Sequence, residues 1–201
     1  TTTLPEIAQP SLLTINDAHD YAQVYINSEY IGTIDRVKNE ETLMLPAVKA
    51  GSALTILVES MGRINFGRAI KDFKGITRNV TLSTQAGSHD LTYDLKDWQI
   101  GLVPDDIDTL KRCLAQPHND LALCTDVRNG KRYPGVHYGT FTLSKVGDTF
   151  INMENFGKGQ VYVNGHALGR FWNIGPQQTL YAPGCWIKKG KNEIVVLVVL
   201  G

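Results

Sequence analysis

The chain of 201 residues carries a copy of one of its own segments. Gln23-Val24-Tyr25-Ile26-Asn27 returns as Gln160-Val161-Tyr162-Val163-Asn164, an offset of 137. Held without a gap from 23 to 46, that offset also matches Gly32 with Gly169, Thr42-Leu43 with Thr179-Leu180 and Pro46 with Pro183. The result is 8 identities in 24 positions, where about one or two would arise by chance. Solenoid units repeat every 20 to 45 residues or so, and a spacing this long means two related domains in tandem. After residue 46 the second copy reads as two residues longer, around Cys185-Trp186. It then realigns with Leu54-Thr55-Ile56-Leu57-Val58 on Glu193-Ile194-Val195-Val196-Leu197.

Both copies read as strands. Residues 22–26 and 159–163 are rich in Val, Ile and Tyr, which fit a pleated, half-buried surface. Asn164-Gly165 is a hairpin signal, since both residues tolerate positive φ; Asn27-Ser28-Glu29 is a weaker one. Further strands are expected at 11–15, 42–45, 77–82, 91–95, 137–143, 149–152 and 179–182. Short strands broken by Gly, Pro, Asn and Asp every eight to twelve residues indicate sandwiches. One helix is expected over 105–115, with Asp105 as cap and Ile107, Leu110 and Leu114 on one face. Pro117 lies beyond it, and 116–134 reads as an irregular loop. The fold class is therefore all-β with one short helix, in two domains, 1–97 and 98–201.

Twenty Lys and Arg balance twenty Asp and Glu, so no net field favours nucleic acid or an anionic membrane. The longest apolar run, Ile194 to Leu200, suits a buried strand and is far short of a membrane span. Three cysteines do not make a disulfide scaffold; Cys113 and Cys124 are either a short-loop pair or two ordinary thiols. The histidines (His19, His89, His118, His137, His166) lack metal-ligand spacing, and no metal or cofactor is expected. A structural calcium held by carbonyls would leave no spacing signal. No nucleophile elbow or phosphate loop is present.

Several blocks resemble family 35 glycoside hydrolases, the β-galactosidases. In the first half these are Thr2-Thr3-Leu4-Pro5-Glu6-Ile7, the run from Leu57 through Gly62-Arg63-Ile64-Asn65-Phe66-Gly67, and Asp72-Phe73-Lys74-Gly75-Ile76. In the second half they are Gly157 to His166, Leu168-Gly169-Arg170-Phe171-Trp172, and Gly175 to Gly184. The resemblance implies two tandem galactose-binding-like jelly rolls, the first lacking its leading strand. It also implies a longer parent whose catalytic (β/α)8 barrel lies N-terminal to residue 1 and is the partner of these domains. Such a parent is expected to be secreted or periplasmic in a bacterium.

A retaining glycosidase needs two carboxylates about 5–5.5 Å apart. The resemblance puts both on the barrel, so no catalytic residue is expected in this chain. Glu59 reads as a structural hydrogen-bonder, and Glu154 has no acidic partner at fixed spacing. The resemblance points to Phe66 as an aromatic reaching toward the sugar pocket of the barrel, with Arg63 and Asn65 beside it at the mouth. The plainer alternatives are that Phe66 packs between domains and that Arg63 and Asn65 shape the turn. An alternative function is galactoside binding by the second domain. Trp172, Asn164, His166, Arg170, Gln177, Tyr181 and Trp186 would supply the aromatic platforms, amides and charge that sugar sites combine. Against it, the tryptophans fit a core and the amides fit turns.

Overall fold

The repeated segment forms the same hairpin twice. In the computed structural model, residues 1–200 are described except 69, 87–88, 116–126, 129–130 and 133. The chain divides into Thr1–Gly101 and Leu102–Gly201. The first unit holds β1 (Thr2–Thr3), β2 (Ser11–Ile15), β3 (Ala18–His19), β4 (Tyr21–Ile26), β5 (Glu29–Asp35), β6 (Thr42–Leu45), β7 (Ala53–Glu59), β8 (Gly75–Ile76), β9 (Val80–Ala86) and β10 (His89–Asp94). Two four-stranded antiparallel sheets, β1-β7-β4-β5 and β10-β9-β2-β6, enclose Leu4, Leu13, Ile15, Val24, Ile34, Leu45, Leu54 and Leu82. Strand β2 buries Ser11, Leu13 and Ile15 and leaves Leu12 exposed, as one buried face requires. The unit runs past the expected join near Asp97-Trp98, since Trp98 packs on this core and the Gln99 N–H donates to the Thr1 carbonyl at 2.8 Å.

The second unit holds α1 (Ile107–Ala115), β11 (Val127–Arg128), β12 (Lys131–Arg132), β13 (Gly135–Leu143), β14 (Thr149–Asn152), β15 (Lys158–Val163), β16 (His166–Trp172), β17 (Thr179–Ala182) and β18 (Gly190–Leu200). Its main sheet, β13-β18-β15-β16, repeats the order β1-β7-β4-β5, and the β14-β17 pair stands where β2-β6 stands in the first unit. One face of the main sheet covers Val161, Val163, Phe171, Val196 and Val198. The other face, with Tyr162, Val195 and Leu197, is covered by α1 through Leu110. That double burial explains the unbroken apolar run in β18, since a strand covered on both faces has no solvent side to mark with polar residues.

The two units share details down to single atoms. Both hairpins carry a bulge at the same place, Val24/Tyr25 and Val161/Tyr162. The Tyr25 and Tyr162 hydroxyls donate to Gln23 and Gln160 at 2.8 and 2.9 Å. Asn27 and Asn164 sit at φ of 48° and 49°. The Asn27 carboxamide accepts the Ala53 N–H, as Asn164 accepts the Glu193 N–H. The Leu43 side chain packs closely over Gly32, where a Cβ would lie 2.6 Å from Leu43 Cδ1 and oblige that side chain to shift.

The expected realignment after residue 46 is off by one. Ile26 pairs with Leu54 and Val163 with Ile194, so the second copy is three residues longer, not two. A one-residue slip turns every side chain of a strand to the other face. The corrected register sets Leu54, Ile56 and Val58 on Ile194, Val196 and Val198; the expected one put buried Leu54 on Glu193. Two other expectations shift. The helix is capped by Asp106, whose Oδ1 accepts the Thr109 N–H at 2.8 Å, while the Asp105 carbonyl accepts the Tyr162 hydroxyl. The strand expected over 77–82 starts at Val80, since Asn79 instead bridges Asn16 and Asp94 by its side chain. Most of 116–134 lies outside the described residues, as does Cys124 and with it any pairing with Cys113.

Candidate functional site

Between β7 and β8 the first unit sends out a loop, 60–74, that the strand frame does not require. Gly62 and Gly67 turn it at φ of 112° and 95°, values that side-chain-bearing residues rarely adopt. Phe66 is 88% exposed, Phe73 75% and Ile70 59%. Three large apolar side chains standing in solvent on one short loop mark a surface made for contact. Arg63 and Asn65, on either side of Ile64, are also exposed. Neither makes a hydrogen bond or ion pair with any described residue, while Gly62 and Gly67 supply the loop's positive-φ turns. A guanidinium, a carboxamide and an aromatic ring are thus presented together and uncommitted.

The root of the loop is the opposite: polar and densely bonded, around two shielded carboxylates. Asp20 and Asp72 are both buried carboxylates. Arg36 donates to Asp20 at 2.7 Å and to both oxygens of Asp72 at 2.9 Å. Lys74 Nζ donates to Asp20 and to Asp72, each at 2.7 Å. The Met61 N–H donates to Asp20 Oδ2 at 2.7 Å. His19 lies between the Asp17 carboxylate at 2.7 Å and the Phe73 carbonyl, with Asp72 at 3.3 Å. Hydrogen bonds from Arg36 and Lys74 hold the Asp72 carboxyl well below the usual carboxylate range. Burial pushes the Asp20 carboxyl up, but the bonds from Lys74, Arg36 and Met61 outweigh it and leave it lowered. Nothing in the sequence made this cluster visible beyond Asp72 and Lys74 falling inside a motif, because its members lie up to 54 positions apart.

In the second unit the seven expected sugar-binding residues are spread over the sheets. Asn164, His166 and Trp186 meet at the hairpin end: the Asn164 amide donates to the Trp186 carbonyl and to Asn192, both at 2.8 Å. His166 stacks on the Trp186 indole, 4.7 Å between centroids and 9° from parallel, so that face of the indole is covered. Trp172 lies at the other end of β16, about 20 Å away at the rise of a strand. Lys158 Nζ sits 4.4 Å from its ring, and the Gln177 carbonyl accepts its N–H. Arg170 lies opposite Gln160 in the ladder. Tyr181 is on the outer face of β17, 48% exposed, against Phe150, 65% exposed, with ring centroids 5.6 Å apart. Its hydroxyl donates to Asp148, which raises the phenol's pKa. Phe150 and Asp148 were not anticipated; the exposed Phe at the second position of a strand whose next residue faces the core was their signal.

Among the described residues, no group of three or more His, Cys, Asp or Glu is arranged to hold a metal ion, and no helix is long and apolar enough to cross a membrane. Two sandwich units built on one frame, with a short helix on the second, define a tandem of all-β domains. Their lineage follows from comparison. Residues 1–96 match the family model "Beta-galactosidase, first all-beta domain" and residues 134–192 match "Beta-galactosidase, galactose-binding domain". The chain belongs to the β-galactosidase family, of which it forms these β-domains. Human beta-galactosidase is 36% identical over 214 residues, covering 98% of this chain and 30% of its own length. Human beta-galactosidase-1-like protein 2 is 33% identical over 180 residues, 89% of this chain and 26% of its own, and Dictyostelium discoideum beta-galactosidase 1 is 31% identical over 214. The chain thus spans about a quarter to a third of the length of these relatives. Among solved structures, the Pleurotus ostreatus lectin aligns over 100% of this chain and 66% of its own at 12% identity, with a TM-score of 0.33, too low to bear on function.

Proposed function

We propose that this chain is the non-catalytic accessory region of a retaining β-galactosidase, that it packs against a catalytic barrel elsewhere in the polypeptide, and that its 60–74 loop lines the mouth of the active site. The observation that carries the reading is the anchored loop itself: a half-buried charge cluster at its root and exposed Phe66, Arg63 and Asn65 at its tip, the last two unbonded to any described residue. An aromatic face suits the C–H side of galactose, and a cation and an amide suit its hydroxyls. Phe66 has no hydroxyl of its own, so its share is stacking and exclusion of water. The test is Phe66→Ala in the full-length protein. Loss of one aromatic platform should lower kcat/KM for a nitrophenyl galactoside about 5- to 30-fold, with thermal stability unchanged. Unchanged kinetics would leave Phe66 a packing residue.

A second reading, a galactoside-binding module, is favoured by one observation, the exposed Phe150–Tyr181 pair beside Asp148. Titration of galactose and lactose into the chain, followed by NMR, tests it. Shifts centred on Phe150 and Tyr181 would establish the module, and none at tens of millimolar would dispose of it.

A further inference from the structure

The two units offer a comparison that the chain makes with itself. Arg36 and Asn173 occupy equivalent places after the second strand of the shared hairpin, and Asp20 and Gly157 equivalent places before the first. The backbone bond between them is the same: the Arg36 N–H donates to the Asp20 carbonyl at 3.0 Å, and the Asn173 N–H to the Gly157 carbonyl at 2.8 Å. The frame therefore closes equally well without the charges. In the first unit the charges are spent on the long loop that follows β7. Asp20 takes the Met61 N–H at its start, while Asp72 and Lys74 are its own last residues. Strand β8, directly after, pairs with β3, directly before Asp20.

Buried ion pairs contribute little net stability over apolar packing of the same shape, because both partners lose their hydration. What they do supply is direction. Each carboxylate oxygen here accepts along a fixed line, and Arg36 grips Asp72 with two parallel donors. We propose that Asp20, Arg36, Asp72 and Lys74 are positioning residues: they clamp both ends of the 60–74 loop to the sandwich and so fix where Phe66, Arg63 and Asn65 stand. The proposal rests on the reading that this loop meets a sugar, and it names what sets the loop's place.

The test uses the ¹⁵N-labelled 201-residue chain. Backbone order parameters are measured for residues 62–68 in the wild type, in Asp72→Asn/Lys74→Gln, which removes one charge of each sign, and in Lys74→Arg, which keeps the cation. In the double variant 62–68 should fall from about 0.85 to below about 0.6, with β4, β5 and β7 unchanged and Lys74→Arg close to wild type. Residues 62–68 staying rigid in the double variant would overturn the proposal. So would equal loss of order in β4 and β5, since the cluster would then belong to the frame. In the full-length protein the double variant should lower kcat/KM by about the same factor as Phe66→Ala, and combining the two should add little, as expected for changes acting through one element. A loosened loop with unaltered kinetics would leave the clamp standing and remove the active-site reading of Phe66.

Discussion

Asn164 is the residue at which a sugar-binding and a structural role make opposite predictions. Its side chain makes three hydrogen bonds: two donated, to the Trp186 carbonyl and the Asn192 carboxamide at 2.8 Å, and one accepted from the Glu193 N–H at 3.0 Å. It ties the hairpin to β18 and to the segment that the second copy inserts. Asn164→Ala removes all three bonds, at about 0.5–1.5 kcal/mol each, and places Ala at a φ of 49°, which costs roughly a further 1 kcal/mol. The loss should be about 4 kcal/mol, or about 16–32 °C in the midpoint of a unit of this size. Asn164→Gly loses the same bonds without the strain and should recover about 1 kcal/mol. Calorimetry with tryptophan fluorescence follows it, since Trp172 and Trp186 report on the second unit and Trp98 on the first. A shift below about 1 kcal/mol, accompanied by loss of galactoside binding, would refute the structural assignment.

Gly159→Ala should be severe, because a Cβ there would lie 1.9 Å from the Leu197 carbonyl oxygen, a backbone atom that moves only if β15 and β18 part. A loss of more than about 3 kcal/mol or failure to fold is expected on urea denaturation, above the usual range of about 1–3 kcal/mol for overpacking, whereas Ala22→Gly at the equivalent place should cost only about 1 kcal/mol. Leu110→Ala should destabilise the second unit by about 2–5 kcal/mol, since Leu110 is the buried side chain by which α1 covers the sheet; a near-neutral effect would mean that the helix is not docked. The lowered carboxyl pKa values of Asp72 and Asp20 fix a sign in acid. Their contribution is complete above the unfolded value near 4 and is lost as pH falls through the lower folded values. Asp17, Arg36, Lys74 and His19 face the same cluster. The stability of wild type and of the Asp72→Asn/Lys74→Gln variant should therefore converge in acid, as read from urea midpoints between about pH 6 and pH 2. A gap that does not narrow as the pH falls from about 4 to about 2 would contradict the assignment.

The repeat was enough to anticipate two sandwiches, because the same strand segment ending in Asn27 or Asn164 starts the same hairpin in both copies. Strands with one solvent face, such as β2 and β14, were readable from turn residues and branched side chains. Strand β18 concealed its register. Buried on both faces, it has no polar alternation to align, so the insertion was placed one residue short. Phe66 was legible through the motif around it, but the reason it stands where it does was not. Asp20, Arg36, Asp72 and Lys74 are ordinary charges one at a time and become a clamp only when three separate segments converge. The sugar-binding set failed to converge for a related reason. Residues near in sequence on one strand, such as His166 and Trp172, are separated by the extension of the strand itself.

Replacing Phe66 in the full-length protein with a photo-crosslinking phenylalanine analogue, then mapping the product by mass spectrometry, bears most directly on whether the clamped loop reaches a sugar pocket. A crosslink to a peptide outside these 201 residues, weakened by saturating galactose, is the expected result. An analogue that reacts only with water or with its own domain, whether or not galactose is present, would contradict it.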